Sequence, residues 1–198
     1  MKKLYRSCRF LGAMLLVTAL GCGPSRYSVS ALAVSPLSLM VSTKSDRTLY
    51  VVLDPAKVPT EMTVLVNDRD RGVKLTEVQE FVSRDLKKAF STYFDDVQVV
   101  SPDQSRAQKK PHVVVDVKIE RVEVTILGGG LGSAALNWGM GMRASESKDY
   151  LYAFAGESTS TSTFNLDQLF RAMFEKAIGE MLQAYSDKKV HEEVLSLP

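Results

Sequence analysis

The chain is poor in the residues that most site chemistry requires. It holds two cysteines, two histidines and one tryptophan in 198 residues. The histidines, His112 and His191, stand far apart, and no HExxH or CxxC spacing occurs, which excludes the common zinc arrangements. No metal or other cofactor is expected. Two cysteines cannot build the disulfide framework of a small secreted scaffold, so stability must come from an apolar core. Excess charge is also missing: the formal net charge is +2, without the basic footprint of a nucleic-acid-binding domain. One uncharged apolar run stands out, from Phe10 to Ala19. As a helix it would rise only ~15 Å, about half a bilayer core.

What is present begins with that run. Lys2, Lys3, Arg6 and Arg9 precede it and Ala19-Leu20-Gly21-Cys22 closes it, the order of a secretory signal: basic head, short apolar middle, small residues before the cut. Residues 1–21 are read as the signal. Gly21-Cys22 resembles the end of a bacterial lipobox, although Ala19 and Leu20 are transposed relative to the usual order. The resemblance implies that Cys22 is the lipidated residue and the membrane anchor. Cys8 then leaves with the signal and Cys22 is alkylated, so no disulfide forms. Four of the 25 basic residues leave as well, giving 21 against 23 acidic ones and a net charge of −2. Gly23 follows the cysteine where an Asp would retain an enterobacterial lipoprotein at the inner membrane. By that resemblance the expected location is the periplasmic face of the outer membrane.

Residues 22–46 are rich in Ser and small residues and read as a flexible tether. A single domain follows over 47–186. Leu49 to Leu53 is a buried strand, with Met62 to Val66 as a second and Asn67 to Gly72 as a turn. Asp68 and Asp70 have part of a calcium-loop spacing, but Gln79 stands where the bidentate Glu belongs, and a solvated turn is the better reading. Thr76 to Phe94 is an amphipathic helix with a Thr76/Gln79 capping box. Val97 to Val100 is a short strand. Apolar residues then fall on odd numbers from Val113 to Ile119 and on even numbers from Val122 to Ile126, which predicts one long strand bent by a bulge near Glu120-Arg121. Tyr150 to Gly156 is expected to pair with it. A last helix starts at an Asn165 cap, with Phe164 and Leu169 as a staple, and carries an apolar stripe to Tyr185. Residues 187–198 read as a charged tail that frays. The fold class is α+β: a mostly antiparallel sheet of four to five strands packed by two amphipathic helices, in the order β-(β)-α-β-β-β-α.

Nothing along this chain assembles into a catalytic constellation. Gly156-Glu157-Ser158 opens like a nucleophile elbow, but Ser160 replaces the second Gly. Gly130, Gly132 and Ala135 fit a dinucleotide-loop pattern without its βαβ context. A non-enzyme is expected. The stretch that invites a function is 127–143, a Gly-rich insertion between two strands in which no charge appears before Arg143. Read as a mobile apolar hairpin, it offers Leu127, Leu131, Trp138, Met140 and Met142 to lipid or to a partner, since Trp suits a membrane interface and Met adapts to irregular surfaces. The competing reading folds it back as a plug, with Trp138 in its own core.

With Cys22, the helix over Glu77–Phe94, the long strand His112–Ile126, the run Phe154-Ala155-Gly156-Glu157-Ser158 and the closing helix, the chain resembles small bacterial envelope lipoproteins. The nearest are the YajG-like and the ABC-transport auxiliary lipoproteins. The curli-secretion-channel and penicillin-binding-protein-activator lipoproteins are more distant. The resemblance implies a lipid-anchored accessory or scaffold of an envelope transport or assembly complex, with a protein partner and no nucleic acid. A membrane-inserting or secretion-channel-like oligomer built on 127–143 is the alternative, and a homo-oligomer fits either reading.

Overall fold

A computed structural model describes residues 25–29, 44–108, 112–127, 131–163 and 165–196. The signal, Cys22 and the two residues after it, residues 30–43, 109–111, 128–130, Phe164 and residues 197–198 lie outside them. Eight strands and four helices are described: β1 (Ser25–Ser28), β2 (Ser45–Val52), β3 (Met62–Val66), β4 (Arg69–Thr76), α1 (Val78–Phe90), β5 (Phe94–Val100), α2 (Pro102–Arg106), β6 (Val113–Ile126), β7 (Leu131–Ala144), β8 (Tyr152–Thr163), α3 (Leu166–Ser186) and α4 (Lys188–Ser196). The class is α+β, but the sheet is mixed and larger than the four to five mostly antiparallel strands expected.

The spine is β6, whose period-two pattern shifts phase as its sequence requires. Its pairing with β7 slips between Ile119 and Arg121, the bulge expected there. β7 runs antiparallel along one edge of β6 for its whole length. The opposite edge is shared: β2 lies parallel along Val113–Asp116, and β3 lies parallel along Val122–Val124. The sheet therefore forks at the bulge, where the Ile119 N–H donates to the Lys57 carbonyl at 2.9 Å instead of to a strand. One branch continues to β5, the other through β4 to β1. On the far side β8 pairs antiparallel with β7 and forms the edge.

Three expectations about elements are corrected. The partner of β6 is β7, not the strand after Tyr150, which pairs with β7 in turn. Part of the expected tether is sheet: Ser25–Ser28 lies parallel to Val73–Thr76, and Val29 is buried. Lys188–Ser196 is a helix whose Val190 and Val194 reach the core, not a frayed tail.

Helix α1 starts two residues later than expected, because Thr76 is taken by β4. Its N-cap, Glu77, is left-handed at φ 61° and makes no side-chain cap bond, a conformation that costs a non-glycine residue about 1–2 kcal/mol. The Val78 N–H finds the Thr60 carbonyl instead. A true capping box opens α2, with Ser101 and Gln104 exchanging bonds, and Asn165 caps α3 through the Gln168 N–H as read. The stripes of α1 and α3 face each other and the same side of the sheet. Phe81 meets Phe174 with ring centroids 4.9 Å apart, and Phe90 meets Tyr185 at 5.6 Å. The core lies between this pair and the odd residues of β2, Leu49 and Val51.

Candidate functional site

The stretch read as a mobile hairpin is a central strand. Gly132, Ala134, Leu136, Trp138, Met140 and Met142 alternate along β7 and point into the core under α3, while Ser133, Ala135, Asn137 and Gly139 occupy the other face. The pairing with β6 and β8 on both sides overturns the loop reading, because a strand bonded on both edges has no freedom to swing. Gly130-x-Gly132 is no phosphate loop either, since Gly132 and Ala135 sit within the ladder.

Of the five contact candidates, the structure therefore buries three. Trp138, Met140 and Met142 are core residues. The indole lies against Gly156, where an added Cβ would come within 2.8 Å of the ring. Its Nε1–H donates to Ser158 Oγ at 3.0 Å and lies 3.3 Å from Glu180 Oε2, and the Ser158 hydroxyl in turn donates to Glu180. Ser158 is thus a fully buried link in mid-strand, not an exposed nucleophile on a strand-to-helix turn.

Glycine substitutions separate a locked contact from a loose one. Gly156→Ala pushes into a buried indole and is expected to lower stability by about 1–3 kcal/mol. At Gly141 an added Cβ would meet the Tyr150 ring at 2.5 Å, but that ring is exposed and can swing away. Urea midpoints should therefore fall for Gly156→Ala and hardly change for Gly141→Ala.

The other two candidates, Leu127 and Leu131, are at the surface. With Ile126 they are 41%, 43% and 49% exposed, and they meet where β6 and β7 join. The Leu127 N–H donates to the Leu131 carbonyl at 2.9 Å. Beside them the β3–β4 turn is fastened to the end of β6. Asn67 gives its N–H to the Val124 carbonyl and accepts the Ile126 N–H, each at 2.9 Å. Asn67 and Asp68 both have positive φ, as a tight hairpin turn demands. Asp68 faces Arg121 at 3.3 Å, and Asp70 accepts the Gly72 N–H, so these carboxylates serve the turn.

Sequence reading missed a second surface. Over β7 and β8 the face away from α3 carries no described helix. It presents Gly139, Ala153 and Ala155 as a strip of small residues, with Gly141 beneath the Tyr150 ring and the Asn137 and Glu157 pair separating the strip from Ala135. A shallow depression of about 330 Å³ lies on it, walled by Lys57, Asp116, Lys118 and Tyr150. The charges along β6 are paired: Asp116 with Arg143 of β7 at 3.0 Å, Lys118 with Glu120 at 2.6 Å, and Arg121 with Glu123 as well as Asp68. Burial and the nearby Asp116 carboxylate raise the Tyr150 pKa. The available signal was the run of small residues at alternate positions on two consecutive strands.

The two histidines are apart. His112 is buried, edge-on to Tyr50 with centroids 4.4 Å apart, while His191 Nδ1 is 2.8 Å from the Tyr185 hydroxyl. Burial lowers the His191 pKa and raises that of Tyr185. Among the described residues no group of three or more His, Cys, Asp or Glu is placed to hold a metal. The Tyr152 hydroxyl donates to Glu193 at 2.6 Å, which pushes its pKa up to about 12. The contact contributes fully below the unfolded phenol value near pH 10 and is lost as pH rises through about 12. Unfolding midpoints of the wild type and Tyr152→Phe should therefore differ near neutrality and converge toward pH 12.

No family model matches the chain, and no curated protein matches it. Its fold has a solved counterpart. A Xanthomonas campestris protein of the DUF330 family is similar at TM-score 0.53 and 13% identity, with 84% of this chain and 95% of that one covered. A neuraminyllactose-binding hemagglutinin homolog from Helicobacter pylori is similar at TM-score 0.44 and 11% identity, covering 82% of this chain and 97% of that one. A minor lipoprotein from Acinetobacter baumannii follows at TM-score 0.41 and 11% identity, covering 74% and 96%. The first likeness is one of fold alone, and the other two are too distant to carry an argument.

Proposed function

We propose that the chain is a lipid-anchored, non-catalytic accessory protein of the bacterial envelope, held by Cys22 at the periplasmic face of the outer membrane. It would present the small-residue face of β7 and β8 to a protein of a transport or assembly complex. The observation that carries this reading is that face. It is lined by small residues at Gly139, Ala153 and Ala155, the β6 charges beside it are paired, and it ends at β8, an edge strand bonded on one side only by described residues. A second protein can extend such an edge or lie on such a face at little desolvation cost.

The membrane-inserting alternative, with 127–143 as part of a spanning hairpin, would withdraw Leu136, Trp138, Met140 and Met142 from beneath α3. Losing that much buried apolar surface argues against it.

Two measurements in the native organism test the proposal. Fatty-acid label should enter the wild type and be absent from Cys22→Ser, and equal labelling of both sinks the anchor. A photo-crosslinking residue at Ala155 should capture a defined envelope protein. Capture of a second copy would make the partner the chain itself, and capture of nothing would remove the face as the contact surface.

A further inference from the structure

We infer that the exposed apolar tip of β6 and β7 (Ile126, Leu127 and Leu131) is a second membrane contact that dips into the same bilayer as the acyl chains of Cys22, a reading that rests on the anchor proposed above. The argument follows the sheet register. Ser25 opposes Val73, Val73 opposes Val64, and Val64 opposes Val122, so all four lie in one row across the strands. β1 is parallel to β4, β4 antiparallel to β3, and β3 parallel to β6. β1 therefore enters the sheet from the end toward which β6 runs out. Beyond the row, Leu127 lies five residues past Val122, about 17 Å at ~3.3 Å per residue.

Cys22 is only three residues before Ser25, so the link spans at most about 10 Å. A domain tied that closely cannot tumble freely above the bilayer. The end of the sheet nearest the link is held at the lipid surface, and at that end β6 runs about 17 Å past the row to Leu127, farther than the link itself can reach. What it presents there is three large apolar side chains.

The other large exposed apolar residues, Tyr150 and Leu151, lie at the opposite end, beside the row of Met142. A protein partner at the tip would have to fit between domain and bilayer, which favours lipid as the occupant. Charge does not drive the contact. Asp68, Asp70 and Glu123 balance Arg69, Arg71 and Arg121 near the tip, so the attraction is apolar and insensitive to the anionic lipid fraction.

The test uses the full-length acylated chain in vesicles of phosphatidylethanolamine with phosphatidylglycerol. An environment-sensitive dye is placed at Leu127→Cys or, as the opposite-end control, at Leu151→Cys, which has the same exposure of 41%. Flotation with the vesicles and the mass of the acylated N-terminal peptide report the anchor separately. The expected result is loss of most Leu127→Cys dye emission to brominated acyl chains, no loss at Leu151→Cys, and no change as the phosphatidylglycerol fraction varies. A chain that floats and carries fatty acid, yet whose Leu127→Cys dye is quenched by aqueous iodide as readily as the control, overturns the tip contact and leaves the anchor standing. Shielding from both quenchers means that a second copy covers the tip, and also overturns it. A chain without fatty acid overturns both.

Discussion

Tyr185→Ala should lower the stability of the domain by about 3–5 kcal/mol, a large share of the 5–15 kcal/mol that typically holds a domain of this kind together. The side chain is fully buried near the end of α3. Its ring stands at 4.8 Å from Tyr93, 5.6 Å from Phe90 and 5.8 Å from Phe94, so truncation opens a cavity walled by rigid rings that cannot close over it. Its hydroxyl meets His191 Nδ1 on α4, so the same residue also fixes the C-terminal helix. Tyr185→Phe keeps the packing and removes only that bond, for an expected loss of about 1 kcal/mol. Urea denaturation of both variants checks the prediction. Losses of equal size would mean that the hydroxyl, not the ring, is what the core depends on.

Trp138→Ala is the second large effect, again about 3–5 kcal/mol. Here the cost has two parts. The indole fills the space left by Gly156, and its N–H is one of two bonds that occupy the buried Ser158 hydroxyl. Trp138→Phe should cost about 1–2 kcal/mol, because Ser158 still donates to Glu180 after the indole N–H is gone. Since Trp138 is the single tryptophan, its emission also reports burial directly. The folded wild type should emit as a buried indole and shift to the red on unfolding. A red-emitting native state, or a Trp138→Ala variant as stable as the wild type, would contradict its place under α3.

Patterns with a sharp period were legible in the sequence. The stripe of α3, its Asn165 cap and the phase slip of β6 each follow from spacing alone, because burial on one side enforces a 3.6- or 2-residue repeat. β7 obeys the same rule, with Ala134, Leu136, Trp138, Met140 and Met142 all on even numbers. Its glycines obscured this, since low strand propensity and absent charge read as a loop. Tertiary pairing on both edges outweighed that propensity. The capping box at Thr76 failed for the opposite reason: its local signal was good, but β1 and β3 claimed Thr76 and its neighbours for the sheet. Of the candidate contacts, Leu127 and Leu131 were picked for being apolar in an uncharged stretch. No spacing rule could show that they alone would stay outside.

The fork at the Ile119–Arg121 bulge also governs the order in which this chain can fold. β2 and β3 both take hydrogen bonds from β6, with Leu49 opposite Val113 and Val64 opposite Val122. Until β6 is available, neither branch has a spine to join, and the first half of the chain can settle only its β1–β4, β3–β4 and β2–β5 pairings. Contacts this distant in sequence make folding slow, on the scale of milliseconds to seconds. The sheet closes only once the residues of β6 have left the ribosome, so the earlier strands wait as separate pairs until the chain reaches its spine.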